Sequence, residues 1–275
     1  MKYIFVNLKR FDVPAEKGGV NRIFDIANWG GGVVRTLNSG RLGRYFDVNF
    51  TMFLPEAHLL NAKAALAVTS NISIGSQSVH FDNIAPGGNF GAFTSSLPAT
   101  AVASLGCRWT MIGHCEERNK LKAILSEGKS SDLSAVNRIL AKQVKCAQES
   151  GLKVLYCVGE NESEQPTKEI VLKEQLSAVE GLKDIVIAYE PVWAIGPGKT
   201  PPEADYIREI SKYIKSIVDF PVVYGGGLKS DNARMLAGID SVDGGLIALT
   251  RFSDEIGFYP EEFLEIVSLY LEGGK

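Results

Sequence analysis

The chain has 275 residues, of which 45% are hydrophobic and 22% are charged, and its 29 Lys and Arg residues nearly balance its 32 Asp and Glu residues. This composition excludes an intrinsically disordered chain, which would have less apolar material and a larger charge imbalance. The net charge of −3 also disfavours a protein that binds nucleic acid mainly through positive charge.

Short hydrophobic runs rich in β-branched residues recur along the chain and predict eight strands. Most of these runs are continuously apolar rather than alternating, which is typical of parallel strands covered on both faces. The predicted strands are Tyr3–Leu8, Phe46–Leu54, Asn71–Gln77, Arg108–Gly113, Lys153–Val158, Ile185–Tyr189, Pro221–Tyr224 and Gly244–Leu249.

Amphipathic segments lie between the predicted strands. Apolar residues at three-to-four spacing predict helices over Ser131–Ser150, Pro202–Val218 and Glu261–Leu271. The segment Arg10–Tyr45, which contains Gly18-Gly19 and Gly30–Gly32, is too long and too rich in glycine for a plain crossover helix. We interpret it as an irregular, enlarged loop 1.

Eight strand–helix units in 275 residues correspond to 275/8, or about 34 residues a unit, which is typical of a (β/α)₈ barrel. The alternative is a doubly wound sheet, which usually has fewer strands and a glycine-rich phosphate turn after its first strand. Here Asn7-Leu8-Lys9 ends the first strand instead. We therefore predict an α/β fold in which residues 1–275 form one TIM barrel domain.

Several classes of site and compartment are disfavoured by the residue pattern. Apolar runs stay below about ten residues, far short of a membrane span, and the N-terminus does not resemble a signal peptide. The four cysteines and three histidines show neither disulfide-framework nor zinc-ligand spacing. We expect a cytoplasmic protein with no metal, no cofactor, no nucleic-acid partner and no membrane partner.

Polar residues stand where several predicted strands end. In a TIM barrel these ends meet at one rim, where the chemistry is placed. The rim residues are Asn7 and Lys9 after the first strand, His114 and Glu116 after the fourth, Glu190 after the sixth, and Gly225, Gly226 and Gly227 after the seventh. A cation, an imidazole, a carboxylate and a glycine turn are thus predicted to converge.

At these residues the sequence resembles the triosephosphate isomerase family. The segment Ala188–Thr200 is similar to the family's base-and-lid motif, and Ile112–Glu116 is similar to its Ile-Gly-His-Ser-Glu motif. Asn7-Leu8-Lys9 stands where the family has Asn-Trp-Lys. Three further blocks agree in the same order, namely Gly91–Thr94, Cys157–Glu160 and Tyr224–Gly226. The resemblance is weak between Arg10 and Phe53.

The resemblance implies an isomerase that interconverts a small phosphorylated aldose and ketose through an enediolate, first of all dihydroxyacetone phosphate and glyceraldehyde 3-phosphate. It implies Glu190 as the base, His114 as the electrophile, Lys9 as the charge stabiliser and Glu116 as a second carboxylate. A metal is unnecessary for this chemistry. The implied setting is glycolysis and gluconeogenesis in the cytoplasm.

The resemblance also implies how substrate and subunits are held. The segment Pro191–Thr200 would be a closing lid. The substrate would be bound by Asn7, Lys9, Gly196, Gly225, Gly226 and Gly227. The segment Gly75–Thr94 resembles the family's interdigitating loop, which predicts a homodimer.

The sequence departs from the family pattern near the expected phosphate site. Gly227 replaces a serine, and Leu249 replaces a glycine in the block Ile247–Arg251, where the family has Val-Gly-Gly-Ala-Ser. Arg251 is a candidate for a replacement charge. Glu117 also stands where the family has arginine, which reverses a charge and removes an expected ion pair.

These departures leave two alternatives open. One is an isomerase of a four-carbon ketose phosphate, such as a tetrulose or erythrulose phosphate. The other is a catalytically idle barrel that acts as a binding protein. The presence of Lys9, His114 and Glu190 together favours retained proton-transfer chemistry over the idle barrel.

Overall fold

A computed structural model describes residues 1–40, 42–196 and 198–273. Eight parallel strands pair in chain order, and the first also pairs with the last, which closes a barrel. The strands are β1 (Lys2–Asn7), β2 (Val48–Leu54), β3 (Ile72–Ser76), β4 (Trp109–Ile112), β5 (Lys153–Val158), β6 (Ile185–Tyr189), β7 (Val222–Tyr224) and β8 (Gly244–Ile247). The predicted (β/α)₈ barrel is confirmed.

Nine α-helices occur in these described stretches. They are α1 (Trp29–Ser39), α2 (Leu59–Ala64), α3 (Ala99–Ser104), α4 (Cys115–Glu127), α5 (Ser134–Glu149), α6 (Lys168–Leu176), α7 (Ala204–Ile217), α8 (Ala233–Ala237) and α9 (Pro260–Glu272). The three predicted helices correspond to α5, α7 and α9. No helix in this part of the chain is long and apolar enough to cross a bilayer.

The apolar core has two layers, as the alternation of side chains on covered strands requires. The inner layer fills the barrel and includes Phe5, Phe53, Trp109 and Leu155. The outer, larger layer lies between the strands and the helices. A filled barrel leaves the strand ends as the place where polar groups gather around open space.

The interpretation of Gly30–Gly32 as irregular is wrong, because all three residues lie in α1. The reason is close packing. A Cβ added at Gly30 would lie 2.7 Å from the Cβ of His58, and one at Gly31 would lie 2.3 Å from Oδ1 of Asn61. These glycines let α1 approach the segment that follows β2. Sequence periodicity alone does not show such an approach.

The remainder of the segment between β1 and α1 is held by a small buried polar cluster. The carboxylate of Asp12 is 1% exposed and accepts a hydrogen bond from Arg10, and His58 Nε2 lies 3.1 Å from it. The amide of Asn21 donates to the carbonyl oxygens of Asp12 and Phe24. These contacts fix the chain just after Lys9. The enlargement of loop 1 relative to the family stays a prediction, and Arg41 within it lies outside the described residues.

Candidate active site

Glu190 lies directly after β6, and the neighbouring strand ends close tightly around it. Its backbone N–H donates to the carbonyl oxygen of Val158 at 2.8 Å. A Cβ added at Gly159 would lie 1.8 Å from the carbonyl oxygen of Glu190, and one at Gly225 would lie 2.8 Å from Glu190 Cγ. The absence of side chains at these two glycines therefore allows β5 and β7 to fix the position of Glu190.

The Glu190 carboxylate is almost fully withdrawn from water, with 2% of the side chain exposed. Its Oε2 accepts a hydrogen bond from the Cys115 N–H at 2.9 Å, and its Oε1 lies 3.2 Å from Nε2 of His114. Burial raises the pKa of Glu190, although His114, the Cys115 N–H and Lys9 oppose that effect. Oε1 accepts no hydrogen bond from any described residue. The site thus holds a poorly solvated carboxylate with one oxygen available to take a proton.

His114 caps the N-terminus of α4, and this contact determines which ring nitrogen faces the site as a possible donor. Gly113, with φ of +78°, turns the chain between β4 and the helix. The Glu116 N–H donates to His114 Nδ1 at 3.2 Å, so Nδ1 is an acceptor. The hydrogen of the neutral ring is then on Nε2, the atom beside Glu190. His114 therefore presents an N–H donor to the same space that Glu190 faces.

Glu117 and Arg118 also stabilise the turn after β4 through hydrogen bonds to Gly113. Glu117 accepts hydrogen bonds from the Gly113 N–H at 2.7 Å, from Gln143 at 3.0 Å and from Ser78. Arg118 donates to the carbonyl oxygens of Gly113 and Cys157. Glu117, where the sequence pattern predicts a lost ion pair, thus makes a hydrogen-bond network that supports the histidine.

Lys9 extends over the same rim from a left-handed backbone position, with φ of +36°. Its N–H donates to Oδ1 of Asn7 at 3.0 Å, and its Nζ lies 2.6 Å from Oε1 of Glu116. Gln77, which follows β3, donates to both Asn7 Oδ1 and the Lys9 carbonyl oxygen. Sequence reasoning placed Gln77 at the end of the predicted third strand and missed this role; the signal was a polar residue at the end of a buried strand.

Glu116 differs from Glu190 in its electrostatics. Burial acts to raise the pKa of Glu116, but the hydrogen bond and the charge of Lys9 outweigh burial and the net pKa is lowered. Glu116 therefore stays ionised where Glu190 is easier to protonate. This difference separates a counter-ion for Lys9 from a candidate base.

Residues that follow five of the eight strands line one cavity of about 180 Å³. Asn7, Lys9, His114 and Glu190 lie on its lining, and so do the glycines predicted to bind substrate, Gly196, Gly225, Gly226 and Gly227. Glu116 is not on the lining and reaches the site through Lys9. Lys229, Leu249 and Phe252 also line the cavity. The predicted site residues are thus brought together.

Arg251 does not reach this cavity. Its guanidinium donates to Glu262 at 2.8 Å and lies 3.9 Å above the ring of Tyr259. Besides Lys9, Lys229 is a cation on the cavity lining, and sequence reasoning missed it. Its signal was a basic residue two positions after the glycine turn.

The segment that follows Glu190 is tied to the neighbouring β5 loop. Trp193 Nε1 donates to Oε1 of Glu160 at 2.9 Å. The same oxygen accepts hydrogen bonds from Tyr189 at 2.9 Å and from Tyr206 at 3.1 Å. Glu160 is fully buried. The predicted lid is therefore hydrogen-bonded to the barrel at its first turn; Pro197 within it lies outside the described residues.

Known proteins resemble this chain over most of its length. A family model for triosephosphate isomerase matches residues 33–269. The chain belongs to the triosephosphate isomerase family. Curated triosephosphate isomerases are 32% identical over 246 residues in Colwellia psychrerythraea, covering 80% of this chain and 89% of that protein, and 33% identical over 218 residues in Alkaliphilus metalliredigens, covering 73% and 80%.

Other relatives agree with this assignment. The triosephosphate isomerase of Nitrosomonas europaea is 38% identical over 176 residues, which cover 57% of this chain and 64% of that protein. The crystal structure of triosephosphate isomerase from Bartonella henselae superposes with a TM-score of 0.71 at 25% identity, covering 98% of this chain and 99% of that one. The chain is therefore a moderately divergent member of the triosephosphate isomerase family.

Cys115, which follows His114, lies close to two other possible metal ligands. His114, Cys115 and Glu190 offer possible metal-ligand atoms within 4.8 Å of one another. Burial, together with the Glu190 carboxylate, raises the pKa of the Cys115 thiol to about 12. Because the thiolate is the form that binds metals, this environment favours a protonated packing side chain over a metal ligand.

Proposed function

We propose that this member of the triosephosphate isomerase family interconverts dihydroxyacetone phosphate and glyceraldehyde 3-phosphate. The observation that carries the proposal is the free, buried Oε1 of Glu190 beside the Nε2 of His114 in one cavity with Lys9. Moving a carbonyl by one carbon requires a base, a donor to the carbonyl oxygen and a nearby cation. All three face the same space.

In the proposed reaction Glu190 removes the proton from the carbon next to the carbonyl group. The electron pair of that C–H bond moves into the carbonyl and leaves negative charge on its oxygen. The Nε2–H of His114 and the ammonium of Lys9 stabilise this enediolate, because both are already oriented before charge develops. Protonated Glu190 then returns the proton to the neighbouring carbon, and the hydroxyl proton moves between the two oxygens. No external oxidant or reductant is consumed.

Withdrawal of the site from water is part of the same proposal. A carboxylate surrounded by water is a weak base toward a C–H bond, and burial of Glu190 strengthens it. The segment Pro191–Thr200 would close over the bound substrate and exclude the remaining water. Backbone N–H groups of Gly226 and Gly196 would hold the phosphate. The Gly225 N–H already donates to the carbonyl oxygen of Tyr189 at 2.7 Å, so the predicted contact of Gly225 with substrate does not use this group.

The test is whether the purified protein isomerises glyceraldehyde 3-phosphate or four-carbon keto-phosphates, with the reaction monitored by proton NMR. The four-carbon substrate is the second candidate, because Leu249 lines the cavity where the family has glycine. A substrate that is one carbon longer would place its phosphate further from Glu190. Efficient isomerisation of the three-carbon substrate would exclude the four-carbon alternative. Absence of turnover on all of these substrates would favour a catalytically idle barrel that acts as a binding protein.

We expect the pH dependence of kcat/KM to follow Glu190. Because the pKa of Glu190 is raised, its carboxylate becomes protonated at a higher pH than that of an ordinary glutamate, whose pKa is about 4.3. Activity should therefore fall, as pH is lowered, above the usual glutamate range. Carbon-13 NMR titration of the side-chain carboxyls measures this directly, with Glu190→Gln identifying the signal. A Glu190 signal that titrates at or below the ordinary value would contradict the expectation.

We also expect a homodimer, with a second copy covering the loop after β3. Phe81 and Phe90 in that loop are 47% and 88% exposed, and Ile84 is half-buried. Apolar patches of this kind mark contact surfaces. Sedimentation at micromolar concentration should give twice 29.8 kDa. Phe90→Asp should shift the protein toward monomer, whereas a native protein found only at 29.8 kDa would remove the claim.

The proposed setting is the cytoplasm, in the central interconversion of three-carbon sugar phosphates. All four cysteines, Cys107, Cys115, Cys146 and Cys157, are free thiols, as a reducing compartment favours. The proposed chemistry calls for neither a metal nor a cofactor.

A further inference from the structure

Lys229 lies at the end of the cavity where the sequence departs most from the family. It follows the glycine turn after β7, and its Nζ is 4.3 Å from the centre of the Phe252 ring. A Cβ added at Gly227 would lie 3.5 Å from Lys229 Cε, so the lysine side chain passes beside that residue. The end of the Lys229 side chain therefore lies next to Gly227, the residue that lacks the family's serine hydroxyl.

The backbone that carries Lys229 is fixed. The Lys229 N–H donates to Oδ1 of Asn232 at 2.8 Å, and Nδ2 of Asn232 donates to the carbonyl oxygen of Gly227 at 2.9 Å. Asn232 is 8% exposed. One buried side chain therefore clamps both ends of the short segment, which leaves the long lysine side chain as its adjustable part.

The charge of Lys229 is not neutralised by a nearby acid. Among residues 1–40, 42–196 and 198–273, no carboxylate oxygen lies within 4.0 Å of its Nζ. The other two cations considered for this site are both paired, Lys9 with Glu116 and Arg251 with Glu262 and Glu255. An aromatic face attracts a cation but does not neutralise it. Lys229 is available for an anion.

We propose that Lys229 is a substrate-phosphate ligand of this protein, an inference that rests on the proposed isomerase function. Its ammonium moves from the Phe252 ring to the phosphate dianion held by the N–H groups of the glycine turn. It takes the place of the hydroxyl absent at Gly227 and supplies the charge that Arg251, paired with Glu262, does not.

The experiment measures the dissociation constant of inorganic phosphate by calorimetry at constant ionic strength. Lys229→Met removes the charge and keeps an apolar stem on Phe252. We expect it to bind phosphate about tenfold more weakly, since a charge-assisted hydrogen bond is lost. Lys229→Arg should restore most of the affinity. Lys212→Met, on the exposed side of α7, and Arg251→Ala should leave phosphate affinity within twofold of the native value.

Steady-state kinetics on the substrate provides a second readout. Because the phosphate is bound alike before and during the chemical step, Lys229→Met should raise KM and leave kcat within a few-fold. Phosphate affinity within twofold of native in Lys229→Met, with the native melting temperature, would overturn the inference. A tenfold loss in Arg251→Ala instead would also overturn it. Phosphate binding is measured without turnover, so a protein that binds phosphate through Lys229 but isomerises nothing would refute only the proposed function.

Discussion

Replacing Glu190 by Gln is expected to lower kcat on the true substrate by about 10²–10⁴-fold, the usual contribution of a general base. The amide has nearly the same shape, and its oxygen can still accept the Cys115 N–H that now donates to Oε2. It cannot take a proton from carbon. The fold should therefore be kept while the chemical step is lost.

The Glu190 experiment has a matched control and a second variant. Glu180→Gln removes an exposed carboxylate outside the cavity lining and should leave kcat unchanged. Glu190→Asp keeps the charge but withdraws it from the substrate, and it should also lower turnover strongly. Near-native turnover in Glu190→Gln would show that another group is the base. The melting temperature of each variant establishes that the protein is folded.

Replacing His114 by Ala should be the second large effect, with kcat falling about 10²–10³-fold and KM changing much less. A donor aimed at the oxygen where charge develops contributes mainly in the transition state, so its loss lowers kcat. The tautomer fixed by the Glu116 N–H is what gives His114 this role. Rates measured over a range of substrate concentrations separate kcat from KM.

His114→Ala also removes the cap of α4, which is expected to destabilise the protein by about 1 kcal/mol. His114→Asn separates the two roles, because asparagine caps helices well but does not place an Nε2–H at the same point. It should recover stability without recovering full turnover. An increase in KM with unchanged kcat in either variant would assign His114 to simple substrate binding.

The strands and the rim were the most predictable parts of this protein. The bounds of β5 and β6 agree with the predicted ones, because both strands are apolar runs that end abruptly in polar or glycine residues. Prediction was less accurate for β8, which ends at Ile247 rather than Leu249. Ala248 and Leu249 continue the hydrophobic run, but they already belong to the loop that lines the cavity.

The parts that the sequence did not predict depend on contacts between distant segments. The direction of Arg251 is decided by Glu262 in α9 and by the Tyr259 ring, and neither contact has a local signal. The role of Gln77 depends on its reaching across to Asn7 from another strand. Helix α1 depends on the room that its glycines leave for the segment after β2. The local sequence pattern therefore predicts where the candidate reacting groups lie. The residues that contact those groups depend on tertiary contacts, which form only when the barrel closes.

The hydrogen bond between Trp193 and Glu160 gives this protein an intrinsic optical reporter. The chain has three tryptophans, and Trp29 and Trp109 are 1% and 2% exposed in the core. Only the indole of Trp193 lies in the segment that would close over substrate, and it would exchange a buried carboxylate for other surroundings on closure. With Trp29 and Trp109 replaced by phenylalanine, its fluorescence would follow the opening and closing of that segment in real time, without an attached dye.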